Sequence, residues 1–392
     1  MVLNDVCEVY SGYALKSFNE GKEGFPVIKI GNILTDGRLS LEDCQYTTET
    51  VNTKYYSQKD DVYVALSGAT TGKIGLMETD ESYVINQRVG VVRRKDKKIP
   101  SRFIKYFLLK QTERILQEAA GCAQPNISPK QIGAYTFPSF SSEKMEEITR
   151  ELDKVTNVIQ YRYKQNNLLD CLIKARFVEM FGDPIDNFQK WPVKKLKDIS
   201  SLITNGNTPK GGSSNYVNEG IIFIRSQNVW RNRIDLSDVV YIDESTHNGM
   251  SKSSVHHNDI LITKTGRINT ENSSLGRAAL YQGDDNTANI NGHVYLVRLK
   301  DCVNPQFVVT ILTSEAYRKY IRKVCVGGID KRQINLDQVE NFPIIQPPLA
   351  DQIMFASLLK QIDKSKVVVP AKIKNAIFAI MLSVSFGQIT SI

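Results

Sequence analysis

A long helical pattern occupies the middle of the chain, from Ser141 to Phe181. Apolar residues recur there at alternating steps of three and four, the a/d seam of a coiled coil: Met145, Ile148, Leu152, Val155, Ile159, Leu169 and Ile173. Arg162 and Asn166 interrupt this seam, and Gly182–Pro184 ends the run. About 40 residues at 1.5 Å each span roughly 60 Å, which exceeds the interior of a compact domain. The pattern therefore predicts a helix that joins two domains and needs a second helix to cover its seam.

The C-terminal part of the chain supplies a matching helical pattern. The segment Gln352–Leu382 carries apolar residues at similar spacing: Phe355, Leu359, Ile362, Ile373, Ile377 and Ile380. Pro370 lies inside this segment and predicts a kink or a division into two helices. We expect the two helical segments to pair antiparallel as a coiled-coil spacer and to cover each other's seams.

Between the helical patterns the chain repeats itself after about 200 residues. The order is domain, helix, domain, helix, with predicted boundaries at 1–140, 141–182, 183–349 and 350–392. This order predicts a pseudo-two-fold axis, with the two domains at opposite ends of the helix pair. The matched segments are Val2–Gly12 with Lys195–Gly206, Gly24–Ile33 with Gly220–Val229, Asp61–Leu76 with Asp259–Leu280, Ile85–Arg93 with Ile290–Arg298, and Gly121–Pro138 with Gly328–Ile345.

Each copy is predicted to be an α+β domain with a mostly β core, because short apolar runs alternate with loops rich in Gly, Ser, Thr and Asn. Helical segments follow near Pro100 and Pro305. Ser128, followed by Pro129, and Asn335 are typical N-caps of a short helix in each copy. The predicted strands are Val27–Ile30, Val62–Leu66, Val89–Val92, Ile221–Ile224, Ile260–Thr263 and Val294–Leu299.

Several stretches, taken with the repeat, resemble a known family. They are Ala175–Ile199, the paired segments Asp61–Gly75 and Asp259–Arg267, and Gln346–Gln352. In these residues the chain resembles the specificity subunit of a type I restriction-modification system, over its whole length and in the family's order of target recognition domains and conserved helical regions. The first copy departs from this pattern at Phe137–Glu147, which lacks the Pro-Pro and Gln of the second copy.

The resemblance implies a subunit without catalysis of its own. It would bind double-stranded DNA and select the sequence for two methyltransferase subunits that use S-adenosylmethionine, and for ATP-driven restriction subunits where these are present. Each domain would read one half of a bipartite site, and the helix pair would set the spacing. The alternative is a scaffold that binds protein alone. An enzyme ranks third, because we find no nucleophile with a credible base and no Asn-Pro-Pro-aromatic signature of an adenine methyltransferase.

Charge favours a polyanionic partner, since 50 Lys and Arg outnumber 42 Asp and Glu, for a net charge of +8. No apolar run reaches the length of a membrane span, and Met1 is not followed by a charged and then an apolar segment, so we expect a cytoplasmic protein. Without CxxC spacing the cysteines are predicted to be free thiols in or near the core: Cys7, Cys44, Cys122, Cys171, Cys302 and Cys325. The four histidines do not form a ligand set, so no metal site is expected: His247, His256, His257 and His293.

The glycine-rich turn after Leu66 has some features of a phosphate-binding loop. That motif needs four residues between its glycines and Ser or Thr after Lys, whereas only three separate Gly68 from Gly72, and Ile follows Lys73. An ATP site is therefore not predicted. The second copy has a longer and more polar loop at Lys264–Arg277. Equivalent turns that differ in this way suit surfaces that read different partners, which favours DNA contact over a plain turn between strands.

Polar side chains at strand starts and loop ends complete the candidate DNA contacts. Asn and Gln match the major-groove edge of adenine, Arg matches guanine, and Lys or Arg binds phosphates. Turn hydrogen bonding or simple solvation is the alternative for each of them. The candidates in the first domain are Lys29, Asn32, Ser67, Thr70, Thr71, Lys73, Asn86, Gln87, Arg88, Gln124 and Asn126. Those in the second domain are Lys210, Arg225, Gln227, Asn228, Arg231, Arg233, Lys264, Thr265, Arg267, Asn269, Arg277, Asn291, His293, Lys331, Arg332 and Gln333.

Overall fold

The structure is a computed structural model that describes residues 1–19, 21–120, 125–209, 211–270 and 272–366. The chain separates into two compact units, the first containing Met1–Lys164 and the second beginning at Gln165. We refer to the two repeat copies as domain 1 and domain 2. Some residues named above lie outside the described ranges: Cys122, Gln124, Lys210, Pro370, Ile373, Ile377 and Ile380.

Domain 1 is an α+β unit, as predicted. Its strands are β1 (Cys7–Ser11), β2 (Phe25–Ile28), β3 (Gln45–Thr47), β4 (Val62–Ala65), β5 (Ile74–Leu76), β6 (Val84–Ile85) and β7 (Val89–Arg94). Its short helices are α1 (Leu3–Val6), α2 (Ser101–Lys110), α3 (Thr112–Ala119) and α4 (Pro129–Gly133). Strands β1-β7-β4-β5 form an antiparallel sheet, and β3-β2-β6 form a second sheet in which β2 and β6 are parallel. The core lies between the first sheet and the helices.

The predicted central helix is confirmed as α5 (Ser142–Phe181), 40 residues long. Ser141 precedes it, and its hydroxyl accepts a hydrogen bond from the backbone N–H of Lys144 at 3.3 Å, as an N-cap does. Gly182 follows it with a φ of 73°, a left-handed conformation that suits glycine at a helix end. The start and stop signals in the sequence therefore place both ends of α5 within one residue.

Domain 2 contains more strands than domain 1 among the described residues. The first group is β8 (Val193–Lys195), β9 (Ser200–Asn205), β10 (Ile221–Ile224), β11 (Val229–Trp230), β12 (Arg233–Ile234), β13 (Val240–Ile242), β14 (Ser254–Val255) and β15 (Ile260–Thr263). The second group is β16 (Thr265–Arg267), β17 (Ala278–Leu280), β18 (Ala288–Ile290), β19 (Val294–Leu299), β20 (Val326–Gly327), β21 (Lys331–Gln333) and β22 (Pro343–Ile345). The helices are α6 (Glu244–Gly249), α7 (Pro305–Thr313), α8 (Glu315–Val324), α9 (Leu336–Glu340) and α10 (Leu349–Ser365).

All seven strands described in domain 1 have counterparts in two sheets of domain 2, which confirms the internal repeat, and β14 extends the second of these sheets by one strand. The sheet β5-β4-β7-β1 corresponds to β17-β15-β19-β9, and β3-β2-β6 corresponds to β13-β10-β18. In the described residues, domain 2 also has a three-stranded sheet, β16-β21-β20, and a hairpin, β11-β12. The shared sheets form the common framework, and the additional strands lie in the loops.

A buried ion pair occupies the same place in both frameworks. The guanidinium of Arg93 donates two hydrogen bonds of 2.7 Å to the carboxylate of Asp61, which is 1% exposed. Arg298 donates to Asp259 in the same way, at 2.9 and 2.7 Å, and Asp259 is also 1% exposed. Each Arg also donates to a backbone carbonyl, that of Tyr56 or Ser254. No local pattern in the sequence indicates these two ion pairs, although all four residues lie in the matched segments.

One glycine in each domain lies where two backbone segments approach each other closely. A Cβ atom on Gly12 would lie 2.3 Å from the carbonyl oxygen of Ile85, and one on Gly206 would lie 2.1 Å from that of Ile290. Backbone atoms cannot rotate out of the way as a side chain can. Glycine is therefore required at both positions.

The first half of the predicted α5 seam is buried in domain 1. Met145, Ile148 and Leu152 belong to its core, where they pack with the aromatic residues of α2 and the strand β4. Val155, Ile159 and Leu169 are half-buried, so burial weakens towards the middle of the helix. Phe103 on the first turn of α2 is fully buried.

The second half of α5 packs against α10 in the core of domain 2. Phe355 of α10 contacts both Phe177 and Phe181, with ring centroids 5.4 and 5.6 Å apart. Lys366, just after α10, forms an ion pair of 2.8 Å with Asp170. Later residues of α10 thus meet earlier residues of α5, which confirms antiparallel pairing in this part. Leu359 and Ile362 are buried as predicted, and Ile173 packs against the core. Phe177 and Phe181 are also buried but were not part of the predicted seam.

The two predicted short helices are confirmed as α4 and α9, each with a reciprocal cap. Ser128 Oγ accepts from the N–H of Gln131, whose side chain accepts from Ser128 N–H at 3.0 Å. Asn335 and Gln338 form the equivalent box in domain 2. The N-cap residues in the sequence were therefore sufficient to place both helices.

The cysteine prediction is partly wrong. Cys7 and Cys325 are buried and Cys44 is half-buried, but Cys171 and Cys302 are exposed. Cys171 lies on the outer face of α5, where side chains point to solvent. Among the described residues, no helix combines the length and apolar composition needed to cross a bilayer.

Candidate nucleic-acid interface

Backbone hydrogen bonds bring four distant segments of domain 1 together at one end of its sheets. The N–H of Leu66, after β4, donates to the carbonyl of Arg88, and the N–H of Ile127 donates to the carbonyl of Leu66, both at 2.9 Å. The N–H of Asn86, after β6, donates to the carbonyl of Ile28 at 3.0 Å. The predicted candidates after β2, β4 and β6 and before α4 therefore lie on one surface. We call residues 67–73, 86–88 and 125–126 the first loop surface.

Domain 2 repeats these hydrogen bonds at the equivalent positions. The N–H of Lys264 donates to the carbonyl of His293 at 2.9 Å, and the N–H of Ile334 donates to the carbonyl of Lys264 at 3.0 Å. Asn291 N–H donates to the carbonyl of Ile224 at 3.0 Å. We call residues 264–270, 291–293 and 326–333 the second loop surface. Because these bonds use backbone atoms only, the side chains of the two loop surfaces are free to differ.

The first loop surface presents a short polar row. Gln87, Arg88 and Asn126 are exposed, and Arg88 has no acidic partner within 4 Å in the described part of the chain. Asn86 is 9% exposed, and its Oδ1 accepts from the N–H of Arg88 at 3.2 Å. Asn86 therefore shapes the turn that holds Gln87 and Arg88 outward.

The glycine-rich turn is followed by β5, as predicted, and not by the helix that a phosphate-binding loop requires. Thr71 is 7% exposed and its hydroxyl donates to the carbonyl of Gly68 at 2.7 Å, so this side chain holds the turn and is not presented to solvent. Lys73 is half-buried. The hydroxyls of Ser67 and Thr70 are buried without a partner in the described residues. The side chains of this turn therefore hold the first loop surface in place more than they project from it.

The asparagines after β2 and β10 hold their own loops together. Asn32 Oδ1 accepts from the N–H of Lys29 at 2.8 Å, and its amide donates to the carbonyl of Ser40. Asn228 accepts from the N–H of Arg225 at 2.9 Å and donates to two backbone carbonyls. Asn228 is only 1% exposed, so its side chain holds the loop and is not presented to solvent. The half-buried Asn32 has the same structural role.

Several candidate cations near these loops already have partners. Lys29 Nζ lies 3.3 Å from the centroid of the Phe18 ring and also bonds Gln45. Burial lowers the pKa of the Lys29 ammonium. Arg225 and Gln227 both bond Asp238, the first through its backbone carbonyl at 2.7 Å and the second through its carboxylate at 2.7 Å. These contacts fix the loop after β10.

The second loop surface is a β-ribbon. Strand β16 pairs antiparallel with β21, setting Thr265 opposite Gln333 and Arg267 opposite Lys331, and β20 pairs with the other edge of β21. Arg267, Lys331 and Gln333 are exposed, as are Asn269 and His293. The candidate residues of two segments about 65 residues apart therefore share one small sheet. No local pattern in the sequence indicates this pairing.

Three other arginines of domain 2 lie on the β11-β12 hairpin or pack against it. Arg231 forms an ion pair of 3.4 Å with Glu315, and burial is the main cause that lowers the pKa of its guanidinium. Arg233 lies 5.4 Å from the ring of Trp230. Arg277 stacks on the same ring at 4.0 Å, is 8% exposed and donates to the carbonyl of Ser273. The side chain of Arg277 therefore packs inside domain 2 and is not presented to solvent.

The histidines belong to local hydrogen-bond networks. His256 Nε2 lies 3.1 Å from Oδ1 of Asn286, and His257 Nδ1 lies 3.3 Å from the carbonyl of Gly283. In the ranges that the structure describes, no group of three His, Cys, Asp or Glu side chains is placed to hold a metal ion.

Two repeated α+β domains with different loop surfaces on one framework define a class of paired recognition modules. Residues 1–170 and 189–378 match a family model described as the type I restriction modification DNA specificity domain. These ranges cover most of the chain and follow its internal repeat. The chain therefore belongs to this family.

Individual relatives support the same assignment. The chain is 20% identical to the type I restriction enzyme EcoBI specificity subunit of Escherichia coli, over 99% of this chain and 85% of the relative. A putative type I restriction enzyme MjaX specificity subunit of Methanocaldococcus jannaschii is 25% identical over 45% of this chain, but the match spans only 40% of that relative. The crystal structure of a type I restriction-modification S subunit from M. genitalium has the same fold, with a TM-score of 0.55, 15% identity, and coverage of 98% of this chain and 95% of the other.

Proposed function

We propose that this chain is the DNA-reading subunit of a type I restriction-modification complex, in which each domain reads one half of a bipartite sequence. The observation that carries the proposal is the pair of loop surfaces, which the same backbone hydrogen bonds build in both domains and which present different side chains. A framework that holds variable loops in a fixed place suits a family whose members read different sequences.

The exposed side chains of the two loop surfaces indicate which residues would contact base edges and which would contact phosphates. Gln87 and Asn126 suit the major-groove edge of adenine, and Arg88 suits guanine. On the second loop surface, Gln333 is suited to a base, whereas Arg267 and Lys331 are suited to phosphates. Salt should weaken DNA binding steeply, which would exclude a scaffold that binds protein alone.

Catalysis is assigned to partners in this proposal. Two methyltransferase subunits would bind S-adenosylmethionine, flip the target bases and methylate them, and restriction subunits would bind ATP where present. An apolar pair on the second half of α5 supports protein contact, since Leu168 and Leu172 lie one turn apart and are 60% and 50% exposed.

The spacing between the half-sites would be set by α5 and its partner helix. Inserting one heptad between Val158 and Tyr161 should lengthen the spacer by roughly 10 Å, or about three base pairs, because each helical residue adds 1.5 Å. The measurement is the spacer in the methylated sites of a host that carries the variant. As a control, the same heptad should replace residues 158–164 without changing the length. If the insertion variant kept the original spacer, the helix would not set the distance.

Methylome sequencing of the host with and without this chain tests the function itself. We expect a bipartite methylated motif that disappears when the chain is deleted and returns when it is restored. A methylome that is identical in both strains, under conditions in which the modification subunits are expressed, would contradict the proposal.

A further inference from the structure

An isoleucine occupies the tip of the β-ribbon in domain 2. Ile329 lies between β20 and β21 and is 90% exposed, the highest value among the large apolar side chains of the described residues. Its neighbours in the turn are Gly328 and Asp330, and Val326 at the ribbon edge is 39% exposed. Polar residues and glycine are the usual occupants of such turns, so the apolar side chain is not explained by the turn itself.

Hydrogen bonds and an ion pair fix the turn that carries Ile329. Arg332 Nε donates to the carbonyl of Gly328 at 3.0 Å, and the N–H of Ile268 donates to the carbonyl of Asp330 at 3.0 Å. The carboxylate of Asp330 forms an ion pair of 3.3 Å with Arg267. Contacts on both sides of the turn therefore fix the direction in which Ile329 points.

Positive charge surrounds this apolar tip. Arg267, Lys331 and Arg332 lie on the ribbon within a few residues of it, and Asp330 is the acidic residue that faces them. An apolar side chain with a cationic border matches the chemistry of a nucleic acid, in which stacked bases lie between rows of phosphates. A protein partner would have to supply an acidic surface with an apolar centre.

We propose that Ile329 is a wedge that inserts against a base step in the half-site read by domain 2. This inference rests on the proposed function and deepens it. Only the turn between β20 and β21 of this three-stranded ribbon would enter a groove of the duplex, and inserted apolar side chains are known to unstack base steps and kink the duplex. The ribbon cations hold the adjacent phosphates while the wedge partly separates the two base pairs. Domain 2 then reads the deformability of one step as well as base edges.

The experiment uses the full chain assembled with its modification subunits and a duplex that carries the motif from the methylome. Each adenine of the half-site read by domain 2, except the target base that the modification subunits flip, is replaced in turn by 2-aminopurine, and each cytosine by pyrrolocytosine, since both brighten when unstacked. Wild type should brighten one step severalfold. Ile329→Ala should abolish this signal, and Ile329→Leu should keep most of it. Phe188→Ala is the matched control, because Phe188 is also apolar and 81% exposed but lies outside the ribbon.

The possible results separate the wedge from the function on which it rests. If wild type binds and methylates the duplex while no position brightens, or if Ile329→Ala brightens as wild type does, the wedge is wrong and DNA reading stands. If Ile329→Ala fails to assemble with the modification subunits on a sizing column, Ile329 contacts protein instead. If wild type does not bind the motif at all, the proposed function fails as well.

Discussion

The two domains share a framework and differ in almost everything attached to it. Both place a buried Arg–Asp pair between the same strands, require glycine at the same close approach, and join four segments by the same backbone bonds. Yet the connection from β4 to β5 has 8 residues, 66–73, whereas its counterpart from β15 to β17 has 14, 264–277. Bonds between backbone atoms do not depend on side-chain identity. The framework therefore stays constant while the reading surfaces diverge.

The start of the long helices shows a second difference. Gln352 in α10 is 1% exposed, and its side chain accepts from the N–H of Asn304 at 3.0 Å and donates to the carbonyl of Pro347 at 2.9 Å. The repeat places Met145 at the equivalent position of α5, where no such bonds can form. Domain 1 fastens its helix with the hydroxyl of Ser142, which donates to the carbonyl of Lys98 at 2.6 Å. The same joint is thus held by different side chains.

The largest expected effect is a loss of stability on removing the buried carboxylate. Comparing this loss in the two domains shows whether the framework stabilises both equally. Replacing Asp61 or Asp259 by Ala leaves a partly buried guanidinium without its partner, which costs up to about 3–5 kcal/mol in each domain. Urea unfolding followed by hydrogen exchange should show the loss in the mutated domain. Asp80→Ala is the control, since its ion pair with Lys59 is solvent-exposed and should contribute little to stability. If Asp259→Ala resembled this control, the two frameworks would not be equivalent.

The separation along the chain between interacting residues decides which structural features the sequence could predict. The ends of α5 and the caps of α4 and α9 depend on residues within one helical turn, so local patterns predicted them. The pairing of β16 with β21 depends on chain segments about 65 residues apart, and no local signal reports it. Phe177 and Phe181 were missed because the a/d steps were followed only to Ile173.

The candidate site illustrates the same limit for side chains. The repeat predicted where both loop surfaces lie on the framework, because loops that vary on a repeated framework are visible in one sequence, and DNA reading by these surfaces stays a prediction. It did not separate residues that hold a loop, such as Asn228 and Arg277, from residues that the loop presents, such as Arg88 and Gln333. That distinction depends on burial, which polarity alone does not predict.

The second prediction concerns the helix joint. Gln352→Met should place in domain 2 the residue type found in domain 1, and it should cost about 1–3 kcal/mol because the N–H of Asn304 loses its acceptor. Met145→Leu should cost less than about 1.5 kcal/mol, since one apolar side chain of similar volume replaces another. Equal stability of the two variants by urea unfolding would show that Gln352 adds nothing to its joint.

The third prediction separates the two reading surfaces. Arg88→Ala should relax recognition in the half-site of domain 1 only, by about 1–3 kcal/mol at one base pair. Gln333→Ala should relax only the half-site of domain 2. The methylomes of hosts carrying each variant report both outcomes directly. Changes in the opposite half-site, or in both at once, would contradict the assignment of one half to each domain.

The smallest expected effect is a difference in acid sensitivity. All four histidines lie in domain 2, and His247 is 8% exposed. Its Nδ1 lies 3.2 Å from the amide nitrogen of Asn289, whose Oδ1 already accepts from the N–H of Ile290, so the imidazole is held as a neutral acceptor. Burial lowers the pKa of His247 below 6.5, and the nearby Glu244 opposes this shift only in part.

The sign of the effect follows from proton binding. Below pH 6.5 the unfolded chain binds a proton at His247 that the folded chain resists, so domain 2 should lose stability as the pH falls through the lowered pKa. His247→Gln keeps an acceptor and should remove this loss. Hydrogen exchange of the full chain at pH 7.5 and 5.5 compares the domains within one sample. Domain 1, which has no histidine, is the internal control, and an equal loss in both domains would show that His247 is not the cause.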